Sequence, residues 1–315
     1  MVIVAEERAV DYALTARLAT AAFADETVQF SPERIRWLYE RSFGQGTTVL
    51  AALEDGQKIG QIALIGQTLC VAGEAHRAVQ LVDLFVMQAY RSAGLVRKLY
   101  SEVERVCAAR GIRYILALPN DRSVQLNARL LNLSSEAELS IRVGMALRQS
   151  GAKLVCNDRF KALPRQQAIA LFARFATAAA ETGIRYDGES LFNRLDDPTR
   201  DYAVHVSDAL LLISSLRRRK NVRHTLLCGF FAHPQARLTP HTVDELVRAA
   251  CGFWNAPLFV YAGINHGLPK LPGLPLPARL KRPILVQLRD LTAGLPADRP
   301  EARFARFQLI DSDFA

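Results

Sequence analysis

The chain has 315 residues, half of them hydrophobic, and a formal net charge of +9 at pH 7. This length predicts two domains, and no run of about 18 apolar residues is present to form a membrane-spanning helix. The N-terminus lacks a basic stretch ahead of an apolar one, which favours a cytoplasmic protein without a signal peptide. Five scattered cysteines and six histidines show no metal-ligand spacing, so we expect no metal site.

The first 71 residues predict a strand, two helices and a hairpin. Ser31 followed by Pro32 marks a helix start, because serine caps free N–H groups and proline suits the first helical position. Asp55 and Gly56 predict a tight turn between two strands. The other predicted elements are strands at residues 2–5, 47–53 and 58–71 and a helix at residues 11–23.

Residues 79–120 predict a strand, a basic turn, an amphipathic helix and a second strand. Apolar residues recur at three- or four-residue spacing from Leu95 to Val106, which predicts one buried helix face. Gly111 ends this helix, because glycine adopts a left-handed backbone at little steric cost. The two strands are predicted at residues 79–86 and 112–118.

The turn before this helix predicts an anion site. The helix opens on small residues, so its first backbone N–H groups lack intrahelical acceptors and carry partial positive charge. Arg91 adds a full charge beside them. This segment therefore predicts a phosphate cradle.

A helix through Leu126 and Leu131 and a strand at residues 137–147 complete a predicted first domain, residues 1–150. Residues 151–315 form the second. Its predicted elements are helices at residues 164–182, 189–195 and 240–255, strands at residues 201–214, 224–232, 258–262, 284–291 and 306–310, and a proline-rich surface loop at residues 268–283.

The second domain repeats the strand–helix–strand order of residues 79–118 over residues 224–262. The turn of this repeat contains Pro234, which has no N–H group to offer an anion. We therefore expect a degenerate second copy, with phosphate bound by the first copy alone.

Most of the positive charge lies in the second domain, which has 23 lysines and arginines against 15 aspartates and glutamates. The basic segment at residues 217–223 fits a solvated hairpin tip. It also fits a patch that attracts an acidic acceptor, a phospholipid surface or RNA. No aromatic stripe or RNA-binding motif accompanies it, so nucleic acid is a minor option.

The first domain resembles the GCN5-related N-acetyltransferase (GNAT) superfamily, whose motif reads roughly V-x-P-x-Y-R-G-x-G-(I/L)-(G/A). The chain keeps five positions of this motif: Val86, Tyr90, Arg91, Gly94 and Leu95. It departs from the motif at three: Gln88 for proline, Ser92 for the first glycine and Val96 for the small residue. The resemblance implies two tandem GNAT-like α/β domains with mixed sheets, the second one degenerate and serving as an acceptor-binding or structural half.

The resemblance also implies how acetyl-CoA or another acyl-CoA is held. Its pyrophosphate is expected at Arg91 and at the backbone amides of Ser92, Ala93, Gly94, Leu95 and Val96. Its pantetheine and thioester oxygen are expected at the backbone of Phe85, Val86 and Met87. Further polar pantetheine contacts are expected from Asn120, Ser123 and Asn127, although Ser123 fits a helix cap equally well.

Asp83 is the candidate general base, because a carboxylate inside an apolar strand has either a partner or a raised pKa. Alternation along the strand predicts that Asp83 shares a face with Leu81 and Phe85. A purely structural carboxylate fits as well, and Glu54, in a hairpin turn, is a weaker candidate. The helix after the second motif strand lacks the tyrosine that many family members use as the general acid.

The implied function is acyl transfer, by default acetyl transfer, from CoA to the amine of a small molecule, by direct attack in a ternary complex. One alternative is a non-catalytic acyl-CoA-binding protein. Another is a transferase that uses aminoacyl-tRNA. The sequence leaves the oligomeric state open.

Overall fold

The computed structural model describes residues 1–23, 30–147, 150–176, 182–292 and 304–313. These residues form sixteen strands of one mixed sheet and seven α-helices. The predicted α/β class with a mixed sheet is therefore confirmed. Within this part of the chain, no helix combines the length and the apolarity that crossing a membrane requires.

The first half follows the predicted order of elements. Its helices are α1 (Tyr12–Phe23), α2 (Pro32–Glu40), α3 (Ala93–Ala109) and α4 (Asp121–Leu131). Its strands are β1 (Val2–Glu6), β2 (Thr47–Glu54), β3 (Gln57–Val71), β4 (Glu74–Val86), β5 (Tyr114–Ala117), β6 (Ser134–Glu138) and β7 (Ser140–Met145). The single strand predicted at residues 137–147 is wrong, because two short strands, β6 and β7, occupy residues 134–145.

Local sequence signals set several of these ends. Ser31 Oγ accepts a hydrogen bond from the Arg34 N–H at 3.2 Å and caps α2. Asp55 and Gly56 have φ values of 49° and 80°, as a two-residue hairpin turn requires. Gly111, with φ of 61°, follows α3. The predicted helix start, hairpin turn and helix end are confirmed.

The second half contains three helices and nine strands among the described residues. Its helices are α5 (Arg165–Ala173), α6 (Gly188–Leu195) and α7 (Pro240–Phe253). Its strands are β8 (Cys156–Arg159), β9 (Gly183–Ile184), β10 (Tyr202–Val206), β11 (Leu210–Arg219), β12 (Val222–Ala232), β13 (Leu258–Asn265), β14 (Leu274–Pro275), β15 (Leu285–Asp290) and β16 (Arg306–Gln308). The end of the helix predicted at residues 164–182 falls partly on residues 177–181, outside the described residues.

Two segments of the second half differ from their predictions. The single strand predicted at residues 201–214 is wrong: β10 and β11 form a hairpin. Ser207 Oγ accepts the Leu210 N–H at 3.1 Å and stabilises the turn between them. The proline-rich segment is mainly a loop, as predicted, but contributes the two-residue strand β14, which pairs with β7. The basic segment at residues 217–223 forms the tip of the β11–β12 hairpin, where Lys220 has φ of 52°.

The two halves exchange strands. β15, from the second half, pairs antiparallel with both β5 and β6 of the first half. β7, from the first half, pairs antiparallel with β13 of the second half. Arg113, just before β5, secures this arrangement through an ion pair with Asp290 of β15 at 3.1 Å. Sheet pairing therefore crosses residue 150, where the sequence placed the domain boundary, and the boundary itself stays a prediction.

The second half contains a copy of the β4–α3–β5 unit. β4 runs parallel to β5, and β12 runs parallel to β13, with α7 between them in the chain. Each first strand has a bulge just after the parallel pairing, at Asp83 in β4 and at Cys228 in β12. The shared bulge, at the same place in both units, supports the predicted internal repeat.

The core joins the halves. The largest apolar cluster contains residues of both, including Trp37 of α2 and Phe192 of α6. Trp37 Nε1 donates to the Asn193 carbonyl at 2.9 Å, and the Arg194 guanidinium lies 5.2 Å from the centroid of the Trp37 ring. A second cluster buries the predicted face of α3 from Leu95 to Val106. The predicted packing of the two halves against each other is confirmed.

We expect the two halves to unfold as one cooperative unit, because the exchanged strands join both halves in a single sheet. The chain has two tryptophans, Trp37 in the first half and Trp254 in the second. Trp254→Phe leaves a probe of the first half, and Trp37→Phe leaves a probe of the second. Fluorescence of each variant in urea should give a midpoint that coincides with the circular dichroism midpoint of the same variant. A fluorescence transition separate from the circular dichroism transition would contradict cooperative unfolding.

Candidate functional site

The N-terminus of α3 has free hydrogen-bond donors. Ser92 caps the helix: its Oγ accepts the Leu95 N–H at 3.2 Å, and its φ of −144° is extended backbone that serine adopts freely. Among the described residues, no atom accepts a hydrogen bond from the N–H of Ala93 or Gly94. A Cβ built on Gly94 would meet no atom within 4 Å, so the space there is open. These donors can bind an anion.

Arg91 is held by the backbone of the first half. Its Nε donates to the Val86 carbonyl at 3.1 Å, and its Nη2 donates to the Ala22 carbonyl at 2.7 Å. The guanidinium thus connects the end of β4 to the last turn of α1, directly before the α3 turn. The Leu95 and Val96 side chains pack in the core under α3, so a ligand at this turn would contact its backbone N–H groups.

The strands β4 and β5 stop pairing near the N-terminus of α3. Their parallel pairing covers Ala78 to Leu81 and ends there, whereas β4 continues to Val86. Phe85 and Val86 have buried side chains, 4% and 6% exposed. On the other side of β4, the Met87 N–H donates to the Ile59 carbonyl at 2.8 Å. Backbone contacts from Phe85, Val86 and Met87 to pantetheine stay a prediction.

Asp83 lies in the bulge of β4. Its φ is 50°, a left-handed conformation that aspartate tolerates better than most residues. The bulge changes the alternation of side chains, so the predicted shared face is wrong. Leu81 packs on the α3 side of the sheet, whereas Phe85 packs against α1 on the opposite side. Asp83 contacts Tyr39 of α2, on the same side as Phe85.

The Asp83 carboxylate has a defined environment. Tyr39 donates its hydroxyl hydrogen to Asp83 Oδ2 at 2.7 Å, and Gln61 Nε2 donates to the Tyr39 oxygen at 2.8 Å. Burial raises the pKa of Asp83 to about 6 and the charge of Asp313 also raises it, while the Tyr39 hydrogen bond and the charge of Arg34 lower it. Such a carboxyl group is ionised at neutral pH and still basic enough to accept a proton.

The predicted polar contacts on α4 have partners within the protein. Asn120, and not Ser123, caps the helix: its Oδ1 accepts the Ser123 N–H at 3.1 Å and also the Ser123 hydroxyl at 3.1 Å. Asn127 is buried; it accepts from the Tyr100 hydroxyl at 2.6 Å and donates to Gln287 of β15 at 2.9 Å. Asn127 therefore links the two halves, and a pantetheine contact for any of these three residues stays a prediction.

Several residues around Asp83 were not predicted from the sequence. Arg34 Nη2 donates to the Asp313 carbonyl at 2.7 Å, and Gln80 Nε2 lies 3.4 Å from Asp313 Oδ1. The C-terminal segment is also held by Arg194, whose Nε donates to the Ile310 carbonyl at 2.8 Å. These residues are far apart in the chain and belong to no local motif, so no sequence signal connected them with Asp83.

The described residues contain no group of three histidine, cysteine, aspartate or glutamate side chains placed to bind a metal ion. Glu54 lies at the end of β2 next to the hairpin turn, away from this site. The site therefore consists of the N-terminus of α3, the end of β4 that no longer pairs with β5, and the half-buried Asp83.

Residues 13–131 match the model of the acetyltransferase (GNAT) family. This match covers α2 to α4, including Asp83 and the α3 turn, and most of α1. No curated protein matches the sequence.

Several solved structures share the fold of almost the whole chain. A probable N-acyltransferase from Enterococcus faecalis has 12% identity and a TM-score of 0.64, over 92% of this chain and 72% of its own. Saccharomyces cerevisiae N-myristoyltransferase with bound myristoyl-CoA has 13% identity and a TM-score of 0.59, over 92% and 79%. A tandem GNAT protein from the clavulanic acid biosynthesis pathway has 12% identity and a TM-score of 0.57, over 93% and 100%.

At these identities the similarity to solved structures establishes the fold, and the match to the family model establishes the family of the first half. Both agree with the repeated strand–helix–strand unit and with the motif around Arg91. Residues 13–131 match the GNAT acetyltransferase family, and the chain as a whole shares its fold with tandem GNAT proteins.

Proposed function

We propose that the protein transfers an acyl group, by default acetyl, from CoA to the amine of a small-molecule acceptor in a ternary complex. One observation carries this proposal. The free N–H groups of Ala93 and Gly94 adjoin the end of β4 that no longer pairs with β5, and Asp83 lies in that end. An anion site, a free strand edge and a partly basic carboxylate are what acyl transfer from a thioester requires.

The residues have separate roles in this proposal. The α3 N-terminus binds the pyrophosphate of acyl-CoA, which supplies the acyl group as a thioester. The backbone of β4 from Phe85 to Met87 orients the pantetheine and stabilises the negative charge that develops on the carbonyl oxygen. Asp83 accepts the proton of the attacking amine. Tyr39 orients the Asp83 carboxylate through the hydrogen bond at 2.7 Å. Solvent protonates the leaving thiolate.

The general test measures release of free thiol from acetyl-CoA and from longer acyl-CoAs over a panel of amines, together with the thermal shift caused by CoA. Stabilisation by CoA without turnover of any amine would favour a non-catalytic binding protein. If CoA causes no thermal shift, both the acyltransferase proposal and the non-catalytic CoA-binding protein would be contradicted. The transferase that uses aminoacyl-tRNA would then remain. A cytoplasmic location and a preference for acetyl-CoA are also part of the proposal, and the comparison of acyl-CoAs tests that preference.

Gly94→Asp should abolish stabilisation by CoA, because it places a negative charge among the free N–H groups at the start of α3. We expect the CoA affinity to fall at least about tenfold, from the loss of charge-assisted hydrogen bonds. Gly94→Asn is the matched control, since it adds nearly the same volume without the charge. Thermal shift and calorimetric titration with CoA measure both. Equal affinities for the two variants would contradict a phosphate site at this helix.

Asp83→Asn should lower kcat by about 10²- to 10⁴-fold, as expected for removal of a general base, without changing the stabilisation by CoA. In the wild-type protein the base is active when ionised. Because the pKa of Asp83 is raised to about 6, the rate should fall as the pH decreases through about 6. The pH profile of kcat measures this. A variant that binds CoA and keeps the wild-type rate would exclude Asp83 as the base; a variant that unfolds would identify a structural carboxylate.

Tyr39→Phe should shift the acidic limb of the pH profile upward. The Tyr39 hydroxyl donates to the carboxylate, so its removal leaves the ionised form of Asp83 less stable and raises its pKa. A hydrogen bond to a charged group corresponds to a shift of about one pH unit. Tyr12→Phe is the control, because Tyr12 donates to Glu40 on the surface at 2.8 Å. An unchanged limb in Tyr39→Phe would show that the titrating group is not Asp83.

A further inference from the structure

Three arginines from three separate elements meet where the two halves contact each other. Arg34 lies on α2, Arg200 follows α6, and Arg217 lies on β11. Arg34 Nε is 3.5 Å and Arg200 Nε is 3.6 Å from Asp197 Oδ2. Burial, followed by the charges of Arg34 and Arg217, lowers the pKa of Arg200 to about 10. We call Arg34, Arg200 and Arg217 the arginine cluster.

Two guanidinium groups of the arginine cluster face one carboxylate. Asp197 is fully buried, and its Oδ1 is already bonded to the Thr199 N–H at 2.8 Å and to the Thr199 hydroxyl at 2.7 Å. Asp313 offers its backbone carbonyl to Arg34, and burial raises the pKa of its carboxyl group. Arg34 and Arg200 therefore face the same oxygen of Asp197, and Arg217 makes no ion pair within 4.0 Å among the described residues.

Arg34 Nε and Asp197 Oδ2 face each other at 3.5 Å without a hydrogen bond. Apart from this pair, two buried donors at the arginine cluster have no acceptor among the described residues: Arg217 Nη2 and the Tyr202 hydroxyl. Tyr202 is 1% exposed and lies opposite Ser215 in the β10–β11 pairing. Arg217 is two residues beyond Ser215, so it projects from the same face of the sheet as Tyr202. Leaving buried donors unpaired is costly, and an anion would satisfy both.

The arginine cluster adjoins the candidate base. Arg34 connects the two: its Nε faces Asp197, its Nη2 donates to the Asp313 carbonyl at 2.7 Å, and its charge acts on Asp83. Arg217 lies on β11 of the second half, and Asp83 lies on β4 of the first half. A molecule bound at the arginine cluster would therefore lie between the halves, beside the reacting groups.

We propose that the arginine cluster and the Tyr202 hydroxyl bind an anionic group, a carboxylate or a phosphate, on the amine that accepts the acyl group. Guanidinium groups match the two oxygens of such anions with paired hydrogen bonds. This inference rests on the proposed acyltransferase function and adds to it the charge of the acceptor. It also gives the second half a role, because Arg200, Arg217 and Tyr202 all come from it.

The kinetic test uses amines in matched pairs with acetyl-CoA as donor: glucosamine 6-phosphate with glucosamine, and β-alanine with β-alaninamide. The anionic member of at least one pair should have a kcat/KM at least about tenfold higher, since charge-assisted hydrogen bonds are lost in the neutral member. The pair that shows the preference tells whether phosphate or carboxylate is bound. Equal kcat/KM values within both pairs would overturn the inference.

Arg217→Met should raise KM for the anionic amine by about 10- to 100-fold and change KM for its neutral partner little. Arg218→Met is the matched control: Arg218 is exposed and projects from the opposite face of β11, so it should behave as wild type. Tyr202→Phe removes only a hydroxyl group and should reduce the same preference, even if Arg217→Met does not fold. A KM increase that is equal for both members of a pair would indicate a structural role and overturn the inference.

A binding test separates this inference from the proposed function. Inorganic phosphate, at an ionic strength held constant with chloride, should raise the Tm of the wild type and of Arg218→Met more than that of Arg217→Met or Tyr202→Phe. If no amine is acylated, the proposed function fails, and the phosphate titration alone decides the anion site. Equal phosphate stabilisation of all four proteins would overturn that site even when acyl transfer is observed.

Discussion

The exchange of β7 and β15 between the two halves is the constraint on which the rest of the structure depends. β15 lies between β5 and β6, and β7 lies beside β13, so strands of each half pair with strands of the other half. The buried network of Asn127, Tyr100 and Gln287 crosses the same boundary. Because backbone hydrogen bonds fix the relative position of the halves, side chains from both can meet with a defined geometry.

The bulge at Asp83 decides on which side of β4 the proposed base lies. A regular strand would have kept Asp83 on the same face as Leu81, under α3. The left-handed backbone at Asp83 instead directs its carboxylate toward Tyr39 and Arg34. The corresponding bulge in β12 contains Cys228, a buried thiol whose pKa burial raises to about 11, so the second copy has no carboxylate at this position. The repeat is thus preserved in backbone geometry and lost in chemistry.

The loss of chemistry in the second half fits a division of labour. Its α7 begins with Thr239 and Pro240, and proline provides no N–H group for a phosphate. The arginines that it contributes face the first half, where Asp83 and the end of β4 lie. In this view the first half holds the acyl donor, and the second half supplies charge for the acceptor.

Much of the fold and part of the site could be predicted from the sequence. Hydrophobic spacing, Ser31, Asp55–Gly56 and Gly111 gave the helices, the hairpin and the helix end, since these signals act within a few residues. The motif around Arg91 located the turn at the start of α3, which we propose as the anion site, for the same reason. The sequence did not predict that Ser207 turns the chain, that β6 and β7 are separate strands, or that Leu81 and Asp83 face opposite ways, because a bulge or a short turn leaves little trace in apolar patterning.

The sequence by itself determined the order of elements, the internal repeat and the turn at the start of α3, all of which follow from local backbone preferences and periodic burial. Only the tertiary structure decided which strands are exchanged, which groups set the pKa of Asp83, and that Arg34, Arg200 and Arg217 share one place. The physical reason is that these contacts join residues far apart in the chain. Their energies depend on burial and distance, which the folded backbone alone defines.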